Sequence, residues 1–382
     1  MPSNLGLHFK IPQALVLGIY RDYLIPTLFI TDLLFILLIC VNFRVFKKIF
    51  KSFKRVILLF LPLFFVLFAQ QKIVAFFKAI KIIEMICLYF YLRQAEIDKK
   101  QVVKGFFFSA VFQALLAISQ FFNQGSVLSY LPFGEQPFSI NSSAVKKLML
   151  PSGRLVVAPL GTLPHSNLLG AYLFFALFLF LPLIKKWWHY LFAVIIQFAI
   201  FLTFSLPVIL LSIAGWLYFI FKKGFRFLSF FTTLLFLGLA GFYWPYFSIT
   251  AKESLFKRLP LIKSSLLMIK NNLVFGVGLN NFLVQLHQFL APNQFNFYQP
   301  VHNFFLLLFA ETGSCGLLVF ISYLFLFLKK NLAQLFKKQP LSAFCLFSWV
   351  VLAMVDHYFY TLQQGLLVTV LLFSLVSGAE KS

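Results

Sequence analysis

"QPVHNFFLLLFAETGSCGLLVFISYLFLFLKK", residues 299–330, decides the fold. A short polar stretch ends in His302-Asn303. An apolar run then covers about 303–328 before Lys329-Lys330 stop it. Such a run crosses a bilayer as one helix, since the hydrocarbon core needs about 20 residues at 1.5 Å each. Glu311 is carried inside it, and an intramembrane carboxylate requires a partner. It lies roughly 13 Å along the helix from His302, too far for direct contact.

The remainder repeats this plan. Of 382 residues 61% are hydrophobic and only 11% charged, with a mean hydropathy of +0.91. A soluble domain carries about a quarter charged residues. Apolar runs fall near 27–43, 56–71, 73–92, 105–122, 167–184, 189–204, 206–221, 227–247, 303–328, 342–355 and 365–379. The expected fold is an all-α, polytopic transmembrane bundle, one integral-membrane domain over 1–382 with about 11–12 spans. The twelfth depends on residues 1–26, where "IPQALVLGIY" reads as a tilted or half-inserted helix. No cleavable signal peptide is apparent. The alternation of a membrane β-barrel is absent.

The net charge of +23 does not indicate a nucleic-acid partner. The basic clusters, such as "RVFKKIFKSFKR" (44–55) and "KKNLAQLFKK" (329–338), sit in short connectors on one side of the predicted path. That is the positive-inside pattern, which places them in the cytoplasm. Two larger external loops follow, over 123–166 and 248–302. Cys40, Cys87, Cys315 and Cys345 are far apart in apolar runs and suggest neither a zinc site nor a disulfide framework.

The external loops contain few acids. Glu135 and Glu253 could pair only if the fold brought them together, and no ligand spacing predicts a metal. Cations are present: Arg154, Lys252, Lys257, Arg258, Lys263 and Lys270. In "RLPLIKSSLLMIK" (258–270), Leu259, Ile262, Leu266 and Ile269 are read as one helical face and Lys263 with Lys270 as another. This fits an interfacial helix, or a cationic rim for an anionic head group. His302 can take a proton near neutral pH. It reads equally as an interfacial residue beside an Asn303 cap. Gly276 and Gly278, in "FGVGLNNF" (275–282), read as a tight turn. His165 and Asn167 close the first loop, and Asp356-His357 open the last hairpin tip, "DHYFYTLQQ" (356–364). Either pair suits a structural role. Partners considered for Glu311 are His165 and the embedded lysines.

"FGVGLNNF", the following loop and "HNFFLLLFAETGSCGLLVF" together resemble the signature region of the bacterial O-antigen ligase and polymerase superfamily. "LGTLPHSNLLGAYL" (160–173) is similar to that family's earlier motif, and Arg258 stands where its loop arginine does. The likeness spans roughly residues 150–330. One departure is visible: Leu206 stands where the family has an arginine after serine, so that either one phosphate contact is missing or Arg154 or a lysine replaces it. The resemblance implies a GT-C-like glycosyltransferase of the cytoplasmic membrane, active at its outer face. Its donor would be an oligosaccharide on a polyprenyl diphosphate and its acceptor a glycan or glycolipid, with no cofactor and no metal. His302 and Arg258 would be catalytic. Arg154, Lys263, His165, Asn167, Asn303, Gly276 and Gly278 would bind substrate, supported by Glu311, Asp356 and His357. Two other readings are a flippase for lipid-linked oligosaccharides, using Asp32, Lys78, Lys81 and Glu84, and an inactive glycolipid-binding scaffold.

Overall fold

The computed structural model describes residues 3–95, 97–142, 145–150, 152–223, 256–291 and 298–376, with Gly238 and Gly241. The span expected at 227–247, with Lys252 and Glu253, lies outside the described residues. The fold is mostly helical. Its helices are α1 (Ile30–Val41), α2 (Phe43–Phe50), α3 (Phe53–Val66), α4 (Lys72–Gln94), α5 (Lys99–Asn123), α6 (Tyr130–Phe133), α7 (Ser166–Phe180), α8 (Trp187–Leu202) and α9 (Leu206–Lys223). They continue with α10 (256–271), α11 (Phe282–Leu286), α12 (Phe304–Lys338), α13 (Pro340–Val355), α14 (Tyr358–Thr361) and α15 (Gln363–Val376). Among the described residues, three stretches are long and apolar enough to cross a membrane: Lys99–Asn123, Ser166–Leu183 and Phe304–Ala333. Six shorter apolar helices accompany them. Most boundaries fall within a few residues of the apolar runs, because those runs end at polar or proline-bearing junctions.

Two expectations are corrected. Among its described residues the N-terminal segment has no α-helix, only two three-residue 3-10 turns, Pro12–Ala14 and Asp22–Leu24. Leu17 and Gly18 both adopt positive φ (53° and 75°) and turn Leu15–Val16 back on Ile19–Tyr20. This is the geometry of a two-residue hairpin. Gly6–His8 pairs antiparallel with Thr27–Phe29. The twelfth span therefore has no α-helix among the described residues of 1–26. The basic connectors are also more helical than expected. Residues 44–50 lie in α2, whose Phe46 stacks on Tyr91 with ring centroids 5.1 Å apart, and α12 runs on to Lys338.

The chain clusters into two compact units that interleave in sequence. The first comprises residues 1–5, 97–254 and 335–352. Its centre is α7, in which every side chain but Asn167 is buried, as expected for a helix apolar on all sides. Phe180, at the end of α7, stacks on Phe107 of α5 at 3.8 Å. Two glutamines of α5 grip the loop that leads into α7. Gln120 accepts from Leu160 and Gly161 N–H, and Gln113 accepts from Thr162 N–H. Glu135, fully buried, is occupied by Gln120 Nε2 and the Val127 and Leu128 amides. It serves as an anchor for this loop.

The second unit comprises residues 6–96, 255–334 and 353–382. Its organising feature is a break in α12 at Gly313 (φ 64°, ψ −169°), a conformation essentially confined to glycine. Backbone groups around the break pair with the preceding turn. Val277 N–H donates to Ala310 O, Gly278 N–H to Glu311 O, and the Ser314 and Cys315 amides to Leu273 O and Val274 O. A Cβ on Gly276 would collide with the Glu311 backbone, one on Gly278 with Ala69, and one on Gly313 with Val274. Close packing, rather than a phosphate cradle, thus accounts for Gly276 and Gly278.

Helix α10 forms as expected, with its faces reassigned. Leu261, Ser264, Ser265 and Met268 are buried. Leu259, Lys263, Leu266 and Lys270 share one exposed stripe, since steps of three and four residues return to the same face. The lysines therefore have no face of their own.

Gly313→Ala should lower the unfolding midpoint in detergent far more than Gly18→Ala. Both residues have positive φ, but open space surrounds a Cβ at Gly18. The Gly18 change should cost only about 1 kcal/mol. Equal midpoint shifts would show that the collision at Gly313 is relieved without cost.

Candidate functional site

The junction between the loop and α12 is tied to the end of α13 by one asparagine. Asn303 Oδ1 accepts from Leu306 N–H at 2.9 Å and caps α12. Its Nδ2 donates to Met354 O at 2.9 Å. This brings His302 to the start of the hairpin tip, where His302 Nδ1 stands 3.2 Å from Asp356 Oδ1. A carboxylate only accepts, so Nδ1 carries a proton, and in the neutral ring Nε2 is then the nitrogen with the lone pair. Asp356 is buried while His302 is half-exposed, so the carboxylate fixes a ring that still meets its surroundings.

Three further groups complete the cluster. The Arg258 Nη1 donates to Val355 O at 3.0 Å, next to Asp356. His357 N–H donates to Asp356 Oδ1 at 2.8 Å, and the His357 ring bonds Thr361 Oγ1 at 2.8 Å. Its centroid lies 5.0 Å from that of His302. Tyr23, from the N-terminal segment, meets His357 edge-on at 5.5 Å. Burial, and then the charge of Asp356, push the Tyr23 phenol well above its ordinary pKa, so it stays protonated at neutral pH.

The hairpin tip is held from below by buried polar groups. Glu311 accepts from Tyr360 O–H at 2.7 Å, from Asn280 N–H at 2.8 Å and from Phe282 N–H at 3.3 Å. Lys78 donates to Tyr360 O and feels the charge of Glu311. Asp32 pairs with Lys81 and accepts from Gln363 Nε2 at 2.7 Å. Among the described residues the direct partners of Glu311 are Tyr360 and two backbone amides, and Lys78, one of the lysines considered, bonds the Tyr360 carbonyl instead.

The structure thus brings together Arg258, His302, Asn303, Asp356 and His357, with Glu311 one residue removed through Tyr360. Lys263 points outward on α10. Arg154, His165 and Asn167 belong to the first unit. There Arg154 is exposed, His165 Nδ1 accepts from Asn167 N–H at 3.1 Å as the cap of α7, and Asn167 Oδ1 accepts from Lys146 at 3.2 Å. Lys146 also donates to Phe204 O at 2.7 Å, placing a cation at the end of α8 just before Leu206. The sequence reading singled out neither Lys146 nor Tyr23 and Tyr360. Lys146 lay in a polar loop without any motif, and the tyrosines were indistinguishable from membrane aromatics.

Spacing along the chain predicted no metal, yet the fold assembles a candidate set. Single ligand atoms of His302, Asp356 and His357 all lie within 4.8 Å of one another. Two imidazoles and a carboxylate suit a first-row divalent ion. In comparison with known proteins, no family model matches the chain and no curated relative matches its sequence.

Glu311→Leu should destabilise the protein by about 3 kcal/mol or more, because it strands the Tyr360 hydroxyl and two amides. Tyr360→Phe, which removes one donor, should cost about 1 kcal/mol. Thermal unfolding of the two variants in one detergent measures the difference, and equal losses would contradict the three-donor arrangement.

Proposed function

We propose that the chain is a polytopic membrane glycosyltransferase of the O-antigen ligase and polymerase type. On this reading its helices form a GT-C-like bundle in the bacterial cytoplasmic membrane, with the cluster around His302 at the outer face. It transfers a glycan from a polyprenyl diphosphate to a glycan or glycolipid acceptor. The carrying observation is the His302–Asp356 pair with Arg258 bonded to the adjacent carbonyl.

In this reaction His302 Nε2 takes the proton of the acceptor hydroxyl as its oxygen attacks the anomeric carbon. Asp356, across the ring, orients the imidazole and stabilises the imidazolium that forms. The bond from the anomeric carbon to the diphosphate oxygen breaks, and its electron pair leaves with the diphosphate. Arg258 has uncommitted N–H groups after bonding Val355 O, and these stabilise the growing negative charge. Attack from the face opposite the leaving group inverts the anomeric centre. The flippase reading is less well supported, because Asp32, Lys78 and Lys81 are engaged in holding the hairpin tip.

The test uses proteoliposomes holding a polyprenyl-diphosphate oligosaccharide and a panel of lipid-A-like, glycan and peptide acceptors, with products followed by mass spectrometry. Wild type should release polyprenyl diphosphate. His302→Ala should lose about 100-fold or more of the rate, and Arg258→Ala a comparable factor. Undiminished transfer by both folded variants would remove the mechanism.

The ligand-like spacing of His302, Asp356 and His357 favours a second reading, a metal centre at the same place. Elemental analysis of the purified protein, with dialysis against a chelator, separates the two. The proton-transfer reading expects sub-stoichiometric metal and chelator-resistant transfer. One bound ion per chain, lost in His357→Ala, would establish the metal centre.

A further inference from the structure

Two residues that contact one tyrosine of the second unit each carry a buried polar atom without a partner among the described residues. Arg21 lays its guanidinium over the Tyr298 ring, 4.4 Å from the centroid, and its Nε is buried with no hydrogen-bond partner. His287 donates its backbone N–H to Tyr298 Oη at 3.1 Å, and its Nδ1 is likewise buried and unpartnered. The tyrosine is fixed, since its hydroxyl donates to Leu283 O at 2.6 Å. Burial raises its phenol to about 12, although the His287 bond and Arg21 oppose this, so it remains neutral and gives Arg21 no counter-charge. Among the described residues no carboxylate forms an ion pair with Arg21.

The place is joined to the candidate site at two points. Tyr298 precedes His302 by four residues, and Tyr23 follows Arg21 by two and packs against His357. Arg21 and His287 are each half-exposed, so a ligand can reach them. A buried donor without an acceptor is costly. Arg21 Nε is such a donor, His287 offers a second when its ring carries the proton on Nδ1, and a planar guanidinium grips an oxyanion with paired bonds.

We propose that Arg21 and His287, both in contact with Tyr298, form an oxyanion subsite that holds a phosphate group. This rests on the glycosyltransferase reading insofar as the phosphate is that of the polyprenyl donor. A free pyrophosphate is the other source of the same chemistry.

The experiment uses the full chain in phosphatidylcholine nanodiscs, with calorimetric titration of farnesyl diphosphate, inorganic pyrophosphate and, as a control, farnesol. Wild type, Arg21→Ala, Arg21→Lys and His287→Ala are compared, each checked for an unchanged unfolding midpoint. We expect farnesyl diphosphate to bind about tenfold or more weakly to Arg21→Ala, with Arg21→Lys between it and wild type. His287→Ala should weaken binding too. Should Arg21→Ala fail to fold, the Lys variant, which keeps charge but loses the fork, decides alone. Farnesyl diphosphate binding indifferent to Arg21 would overturn the subsite and leave the transferase reading intact. Pyrophosphate bound through Arg21 without farnesyl diphosphate would support the subsite and count against the donor. Binding of neither phosphate by wild type would overturn the subsite.

Discussion

A carboxylate in an apolar interior must be surrounded by donors, and Glu311 obtains three of them from two separate segments. The cost of leaving it unpaired there is several kcal/mol. Much of the second unit follows from meeting that demand. The turn at 273–282 has to reach α12, which requires glycines at its closest approaches. Helix α12 has to open at Gly313 so that its backbone can receive the turn. Tyr360 has to point at the same oxygen, which fixes the hairpin tip.

The same logic operates along α4. Lys78 and Lys81 face inward, and both find oxygens: the carbonyls of residues 360 and 361 for the first, Asp32 for the second. Charges that a hydropathy reading marks as interruptions therefore act as fasteners. They hold the short tip carrying Asp356 and His357, whose own backbone turns are too brief to set their position. Asp356 and His357 are thus placed by polar interactions behind them, while the aromatic walls supply bulk.

Legibility in the sequence followed the range of the interactions. Helix positions were readable because hydropathy is local. The Asn303 cap was readable for the same reason, since a cap spans only a turn. His302 and Arg258 could be singled out as polar groups where an apolar helix meets a loop. Their meeting at the end of α13 could not, because His302 reaches Asp356 over 54 residues and Arg258 reaches Val355 over 97, and nothing local records it. The N-terminal segment misled because its apolar content suggested a helix, whereas the left-handed turn at Leu17-Gly18 reversed the chain within two residues. The face of α10 was misassigned because leucine lies on both sides, and the small Ser264 and Ser265 mark the packed side.

The bond between Asp32 and Gln363 joins positions 331 residues apart. On the ribosome, α1 and α4 exist long before α15 is made, so the Asp32–Lys81 pair must wait with one acceptor unfilled. Contacts of such long separation form late. The last hairpin therefore works as a clasp. Until it closes, neither Asp356 nor His357 has reached His302, so this cluster assembles only after the helices behind it.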